Sequence, residues 1–228
     1  MRLDRFAPAI IAVVVAAPAA QAAADGFRAQ GNEPFWSLRK AAEAITFTTL
    51  DGAAVTVAPV PEPVRDGKTE VFEASVGNEM FVLTVEDTVC TDTMSGMPFP
   101  HTVTVRFGAD TYGGCGGAPE TLLTGDWKVV AIDGDPPVAD TEPSLSFGDD
   151  GKVSGNASCN RFFGSFTLTG EGLGFGEMGA SMMMCEDAVM AQEQAMLAIL
   201  QGATGFAIAD TGALTLNGAD GRTITAER

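Results

Sequence analysis

Gly155-Asn-Ala-Ser-Cys-Asn-Arg-Phe-Phe-Gly-Ser-Phe166, answered downstream by Ser181-Met-Met-Met-Cys185, decides how this chain folds. Cys159 sits among small turn-forming residues. The run from Phe162 to Leu168 then reads as a strand, with Phe162 and Phe166 on one face. Cys185 stands just before a helix-like run. Glu186 and Asp187 place negative charge in its first turn, where it suits the positive end of the helix dipole. Val189, Met196, Leu197 and Leu200 share one face, and Gly202 is placed to end the helix. The expectation is an antiparallel sheet with a single helix packed on it.

The same alternation runs outward in both directions. Downstream of Leu122, strand-like runs fall at Trp127–Ile132, Ser144–Phe147, Phe206–Ile208, Leu214–Leu216 and Thr223–Thr225. Turn pairs separate them at Asp133-Gly134, Asp150-Gly151, Asn217-Gly218 and Asp220-Gly221. Upstream, Ile45–Leu50, Val55–Val57, Val71–Val76, Met80–Val85 and Thr102–Phe107 alternate in the same way. The stretch Gly113-Gly-Cys-Gly-Gly-Ala-Pro119 is expected to close this first region and mark a domain boundary. The fold class is therefore mainly β (α+β), in two small antiparallel-sheet domains over residues 25–118 and 119–228, the second carrying the helix.

Residues 1–24 read as a secretory signal peptide. Arg2 and Arg5 precede a short apolar run from Phe6 to Ala19, and Ala20-Gln-Ala22 and Ala22-Ala-Ala24 both fit a cleavage site. The apolar run is too short for a membrane span. The expected product is exported, periplasmic or secreted, cleaved near Ala22 or Ala24 and not membrane-spanning. The full 228 residues carry 13 basic and 30 acidic side chains. Loss of residues 1–24 removes Arg2, Arg5 and Asp4 and leaves 11 against 29, a net charge of −18. Such a surface repels phosphate backbones, which excludes nucleic acid as a partner and admits a cationic protein. A monomer is expected.

The four cysteines allow three pairings. Pairing within domains, Cys90 with Cys115 and Cys159 with Cys185, is the economical one. Each bridge closes a loop of about 25 residues, worth about 3.5 kcal/mol in the chain-entropy picture. Small β domains exported to an oxidising compartment use such bonds. No C-x-x-C spacing points to redox chemistry.

Several stretches of the C-terminal half resemble the META/HslJ-like domain. They are Leu123-Thr-Gly-Asp-Trp127, Val129-Val-Ala-Ile-Asp-Gly134, Val153-Ser-Gly155, Cys159-Asn-Arg-Phe162, Met182-Met-Met-Cys185 and Glu193. The resemblance covers about Thr121 to Arg228. It implies a β-rich fold with one packed helix, membership among heat-inducible bacterial envelope proteins, some linked to antibiotic resistance, and no established enzymatic activity. Where the family pattern has Gly, this chain has Ser158, and a turn needing positive φ there would be strained. Residues from about Gly26 to Gly117 resemble a second bacterial envelope domain. Its marks are Gly31-Asn-Glu-Pro-Phe-Trp36, Cys90-Thr-Asp-Thr-Met-Ser-Gly96 with Phe99-Pro100, and Gly114-Cys115.

The chemistry these motifs could hold is narrow. His101 is the only histidine, and although Ser95 or Ser158 could formally join it, no nucleophile-elbow spacing is present. Glu33 lies between Asn32 and the apolar Pro34-Phe35-Trp36 cluster. A buried Glu33 would be an acid candidate, but the expected role is an aromatic anchor, Phe35 and Trp36, with Glu33 capping backbone donors. Met182, Met183 and Met184 offer soft donors of the kind that select Cu(I). Three consecutive side chains on an extended segment alternate faces and cannot share one ion, so no metal and no cofactor is expected.

Asp92-Thr-Met-Ser-Gly-Met-Pro-Phe-Pro100, with Asp92 and Met94 as its possible contacts, has the character of a docking or inhibitory loop. Its simpler role is closing the sheet beside Cys90. Asn160 and Arg161 are the remaining interaction candidates, Arg161 being expected to pair locally. These readings converge on a non-enzymatic exported binding protein with a stress-response role. The alternative is an acidic inhibitor of a cationic wall-degrading hydrolase such as lysozyme.

Overall fold

The computed structural model describes residues 26–228, so the signal-peptide reading of residues 1–24 lies outside the described residues. The expected fold class is observed: two antiparallel sheets, the second with one long helix.

In spatial order the first sheet runs Ala54–Val57, Ile45–Thr49, Phe35–Lys40, Phe27–Asn32, Asp110–Gly116, His101–Phe107, Glu79–Glu86, Thr69–Val76 and Val64–Asp66. Ala54–Val57 also lies against Thr69–Val76, so the sheet rolls up on itself. Its two edge strands are joined by Ala58-Pro-Val-Pro-Glu-Pro63. Proline cannot donate to a ladder, so this connection adds no strand between them. Inside, Trp36, Phe81 and Tyr112 surround Phe47 with ring centroids 5.0–6.3 Å away, and Ile45, Leu83, Val103 and Val105 complete the core.

One expectation for this half needs correction. Phe27–Asn32 and Phe35–Lys40 are strands that the alternation from Ile45 onward did not include. Small inward residues, Ala29 and Gly31, hide their period behind Arg28, Gln30, Ser37 and Arg39. The glycine stretch at 113–116 belongs to the last strand of the first sheet, a central strand paired on both sides. A Cβ on Gly114 would collide with the Gln30 carbonyl, so glycine lets the neighbouring backbone approach.

The second sheet runs Gly172–Phe175, Arg161–Thr169, Lys152–Asn156, Ser144–Phe147, Gly125–Ile132, Thr223–Glu227, Leu214–Gly218 and Ala203–Ile208. Its ends meet, which nearly closes a barrel. Gly172, at φ +129°, abuts the Thr204 carbonyl so closely that no side chain fits there.

The Asp187–Gln201 helix packs on strands from both ends of this sheet. It buries Glu193, Met196, Ile199 and Leu200. The buried face therefore differs from the expected one: Ile199 and Glu193 belong to it, while Val189 and Leu197 are only half-buried. A one-turn helix, Glu120–Leu123, enters the domain. Trp127 donates from Nε1 to the Leu123 carbonyl at 2.7 Å, and the Arg228 guanidinium covers the same ring at 4.4 Å. Arg228 also donates to the Leu122 and Thr124 carbonyls, closing the end of that turn.

The domains are joined by more than their linker. Cys90–Thr91 and Pro98–Phe99 form a small two-stranded ribbon that leaves the first sheet. Met97, at its tip, is 8% exposed and belongs to the core of the second domain, with Phe99 packed beside it. Pro98–Phe99 runs against Ala203–Ile208. A side chain from one domain thus fills the core of the other.

Truncating that side chain should uncouple the domains. Met97→Ala is expected to cost about 2–4 kcal/mol and to split the unfolding of the intact chain into two transitions. Calorimetry of wild type and variant checks this. A single transition at the wild-type midpoint would show that Met97 contributes nothing to the joint.

Candidate functional site

Where the ribbon crosses between the sheets it walls a cleft of about 830 Å³. The first domain contributes Asn32, Phe35 and Trp36 from the hairpin Phe27–Asn32/Phe35–Lys40, and Thr48 to Leu50 from the next strand and turn. The ribbon contributes Asp92, Met94 and Met97. The second domain contributes Leu168, Thr169 and Gly170 from the tip of its longest strand. Phe35, Leu50 and Met94 stand exposed at the rim, and only Asp92 and Glu120 bring charge to the wall. Apolar clefts of this size with a few fixed polar groups, set between domains, are where small ligands bind.

The ribbon's shape rests on Asp92. Its buried carboxylate accepts from Asn32 Nδ2 at 2.8 Å, from the backbone N–H of Met94 at 3.1 Å and Ser95 at 2.8 Å, and from Ser95 Oγ at 2.8 Å. Asn32 also donates to Thr93 Oγ1 at 3.2 Å, and the Asp92 N–H donates to the Met97 carbonyl at 2.9 Å. Burial pushes the Asp92 carboxyl up, but the donors from Ser95, Asn32 and Met94 outweigh it and hold it below the ordinary 3.8. The carboxylate is consumed by the turn it organises and is not a free base.

Five of the sequence candidates therefore meet at one place: Asn32, Phe35, Trp36, Asp92 and Met94. Trp36 is buried, its Nε1 donating to the Gly113 carbonyl at 3.0 Å, while Phe35 is 45% exposed. Glu33 is a correction. It lies exposed in the hairpin turn, on the side of Asn32 away from the aromatic wall, and among the described residues it caps no backbone donor. Cys90 and Cys115 are bonded and tie the base of the ribbon to the central strand. The cleft residues that sequence reasoning missed are Leu50, Met97 and Leu168–Gly170. An exposed leucine beside an Asp-Gly turn was the available signal for Leu50; the others depend on how two domains meet.

Asn160 and Arg161 lie elsewhere, in the second domain. Cys159 and Cys185 are bonded there, as the within-domain pairing expected. Asn160 Oδ1 accepts from Ser181 Oγ at 2.8 Å and the Met183 N–H at 2.7 Å. Its Nδ2 donates to the Met183 carbonyl at 3.2 Å and to Glu193 Oε1 at 3.0 Å. Glu193 Oε2 takes the Asn160 backbone N–H at 2.6 Å, so a buried carboxylate and a buried amide satisfy one another. Gln192 joins the same knot, accepting from the Val138 N–H and donating to Thr141 and Ser158 Oγ. Ser158 does adopt φ +110°, and its hydroxyl is held by Gln192. The expected local pairing of Arg161 is not found: its backbone pairs with Ser181, but among the described residues its guanidinium has no ion pair.

The serines near the formal triad are engaged elsewhere, Ser95 with Asp92 and Ser158 with Gln192. His101 Nδ1 faces Asp87 at 4.0 Å, beyond hydrogen-bond reach. Among the described residues no group of three or more His, Cys, Asp or Glu side chains is placed to hold a metal ion, and no helix is long and apolar enough to cross a membrane.

Two solved structures are similar to this chain, both determined by NMR and one of them of a protein from Burkholderia xenovorans. Each is 27% identical, with TM-scores of 0.40 and 0.41. They cover 48% and 49% of this chain and 85% and 94% of their own. The curated proteins gave no match. Residues 120–228, which hold the Cys159–Cys185 bond and the long helix, match the META domain.

Proposed function

We propose that this chain is a non-catalytic exported binding protein of a Gram-negative-type envelope, and that it binds through the cleft between its domains. One observation carries the reading: Gly31–Trp36, the Asp92–Phe99 ribbon and Leu168–Gly170, far apart in sequence, converge on a single apolar-walled space. Three large apolar side chains at its rim, Phe35, Leu50 and Met94, gain nothing from exposure in the free protein. They gain free energy when a ligand covers them. The acidic surface and the sparse charge of the wall favour an uncharged or cationic amphiphile over an anion. Two disulfides suit an oxidising compartment. Capture of hydrophobic compounds there would give the protein its role under heat or antibiotic stress.

The inhibitor reading required Asp92–Pro100 to enter an enzyme's cleft. Met97 and Phe99 are instead spent on the second domain's core, which leaves net charge as that reading's remaining support.

The uncharged dye N-phenyl-1-naphthylamine should fluoresce on binding the mature chain. Phe35→Ala combined with Leu50→Ser should weaken that binding at least about tenfold (about 1.4 kcal/mol) without lowering the thermal midpoint. Undiminished binding by the double variant would remove the cleft from the account. Deletion of the gene should sensitise the source bacterium to heat or to hydrophobic antibiotics, and unchanged survival in both challenges would contradict the stress role.

The Asp92 geometry sets a pH dependence. A carboxyl held below its unfolded value stabilises the fold above that value and stops doing so as pH falls through the folded one. Dye binding and domain coupling should therefore weaken as pH drops below 3.8. Asp92→Ala, which strips four donors of their acceptor, should show the weakened state already at neutral pH, with a loss of about 1–3 kcal/mol. Denaturant titrations across that range check both statements.

A further inference from the structure

The methionine segment lies outside the cleft. Met182 is 94% exposed, Met183 59% and Met184 92%, and none of the three packs on either core. Apolar side chains so placed contribute nothing to folding. Their backbone, by contrast, is held firmly. Ser181 N–H donates to the Arg161 carbonyl, Asn160 brackets Met183 from both its N–H and its carbonyl, and Cys185 is bonded to Cys159. The fold fixes a short platform and directs three thioethers into solvent.

The chemistry available to those thioethers is narrow. Every cysteine among the described residues is in a disulfide, which leaves methionine sulfur as the soft nucleophile this chain presents. A methionine in a core cannot serve, because its sulfoxide is polar and disrupts the packing. Met97 and Met196 are in that position, both buried in the second domain. At Met182 and Met184 the added oxygen meets only water.

We propose that Met182 and Met184 form an oxidant-trapping site, in which thioethers held clear of the fold are oxidised by peroxides in place of the methionines buried in the second domain's core. The sulfur lone pair attacks one peroxide oxygen and the O–O bond breaks. The sulfur loses two electrons and keeps that oxygen as the sulfoxide; the other oxygen leaves as hydroxide and takes up the proton of the transferred one, so hydrogen peroxide yields one water. Restoring the site then requires a two-electron reduction of the sulfoxide by a methionine sulfoxide reductase, the class of reaction that consumes the product. The proposal is independent of ligand binding in the cleft.

The test is peptide mapping by mass spectrometry of the folded mature chain after about two equivalents of hydrogen peroxide. Met182 and Met184 should be oxidised at least about tenfold faster than Met97 and Met196, with the thermal midpoint unchanged and the sulfoxides reversed by a methionine sulfoxide reductase. In the Met182→Leu/Met184→Leu variant, which should keep the wild-type midpoint, the same peroxide dose should shift oxidation onto Met80, Met94 and the remaining methionines. Oxidation of Met182 and Met184 no faster than of Met196 would overturn the proposal. So would a fall in the midpoint when they oxidise, or an unchanged pattern at the other methionines in the variant.

Discussion

A buried carboxylate with four donors holds this molecule's parts in relation. Asp92 gathers Asn32 from the neighbouring hairpin and three donors from its own turn, and the turn delivers Met97 across the gap into the second core. Without that acceptor the donors would face one another with nothing between them, a cost greater than the gain of any single bond. The Cys90–Cys115 bond fixes the base of the same ribbon to the central strand. The cleft is the space left beside this strut, so its shape follows from the Asp92 turn as much as from either sheet.

The second domain solves a parallel problem with different residues. Its helix must sit against a nearly closed barrel, and the helix brings two polar side chains, Gln192 and Glu193, to a surface that is otherwise apolar. Burying a carboxylate is tolerable only where donors meet it, and Asn160 supplies them. Cys159 and Cys185 flank that knot and pin the strand turn to the helix start. The Cys159–Phe162 and Ser181–Cys185 stretches form a clamp, and the methionine side chains point away from it into solvent.

Much of the fold was legible because period-two alternation survives wherever one face of a sheet is buried. Val71–Val76, Met80–Val85 and Thr102–Phe107 show it plainly, and the within-domain cysteine pairing followed from reading two separate runs of strands. Alternation failed where inward positions are small. Ala29 and Gly31 carry no apolar signal, and Gly114 is a glycine because the Gln30 backbone approaches it closely. Of the site, Asn32, Phe35, Trp36, Asp92 and Met94 could be singled out as motif residues. That they face one another, and that Glu33 between them faces away, depends on pairing across about sixty residues. Met97's place in the other domain's core was hidden for the same reason: no local pattern distinguishes a methionine that closes a loop from one that crosses a domain boundary.

The central claim is that one cleft, built jointly by the two domains, is where this protein binds. Amide chemical-shift mapping of the isotope-labelled mature chain titrated with N-phenyl-1-naphthylamine tests it most directly. The account predicts saturable shifts that cluster on Asn32, Trp36, Thr48 and Met94 in the first domain and on Leu168 to Gly170 in the second, moving together with one affinity. Shifts confined to a single domain, or gathered around Met182 to Met184 instead, would contradict it.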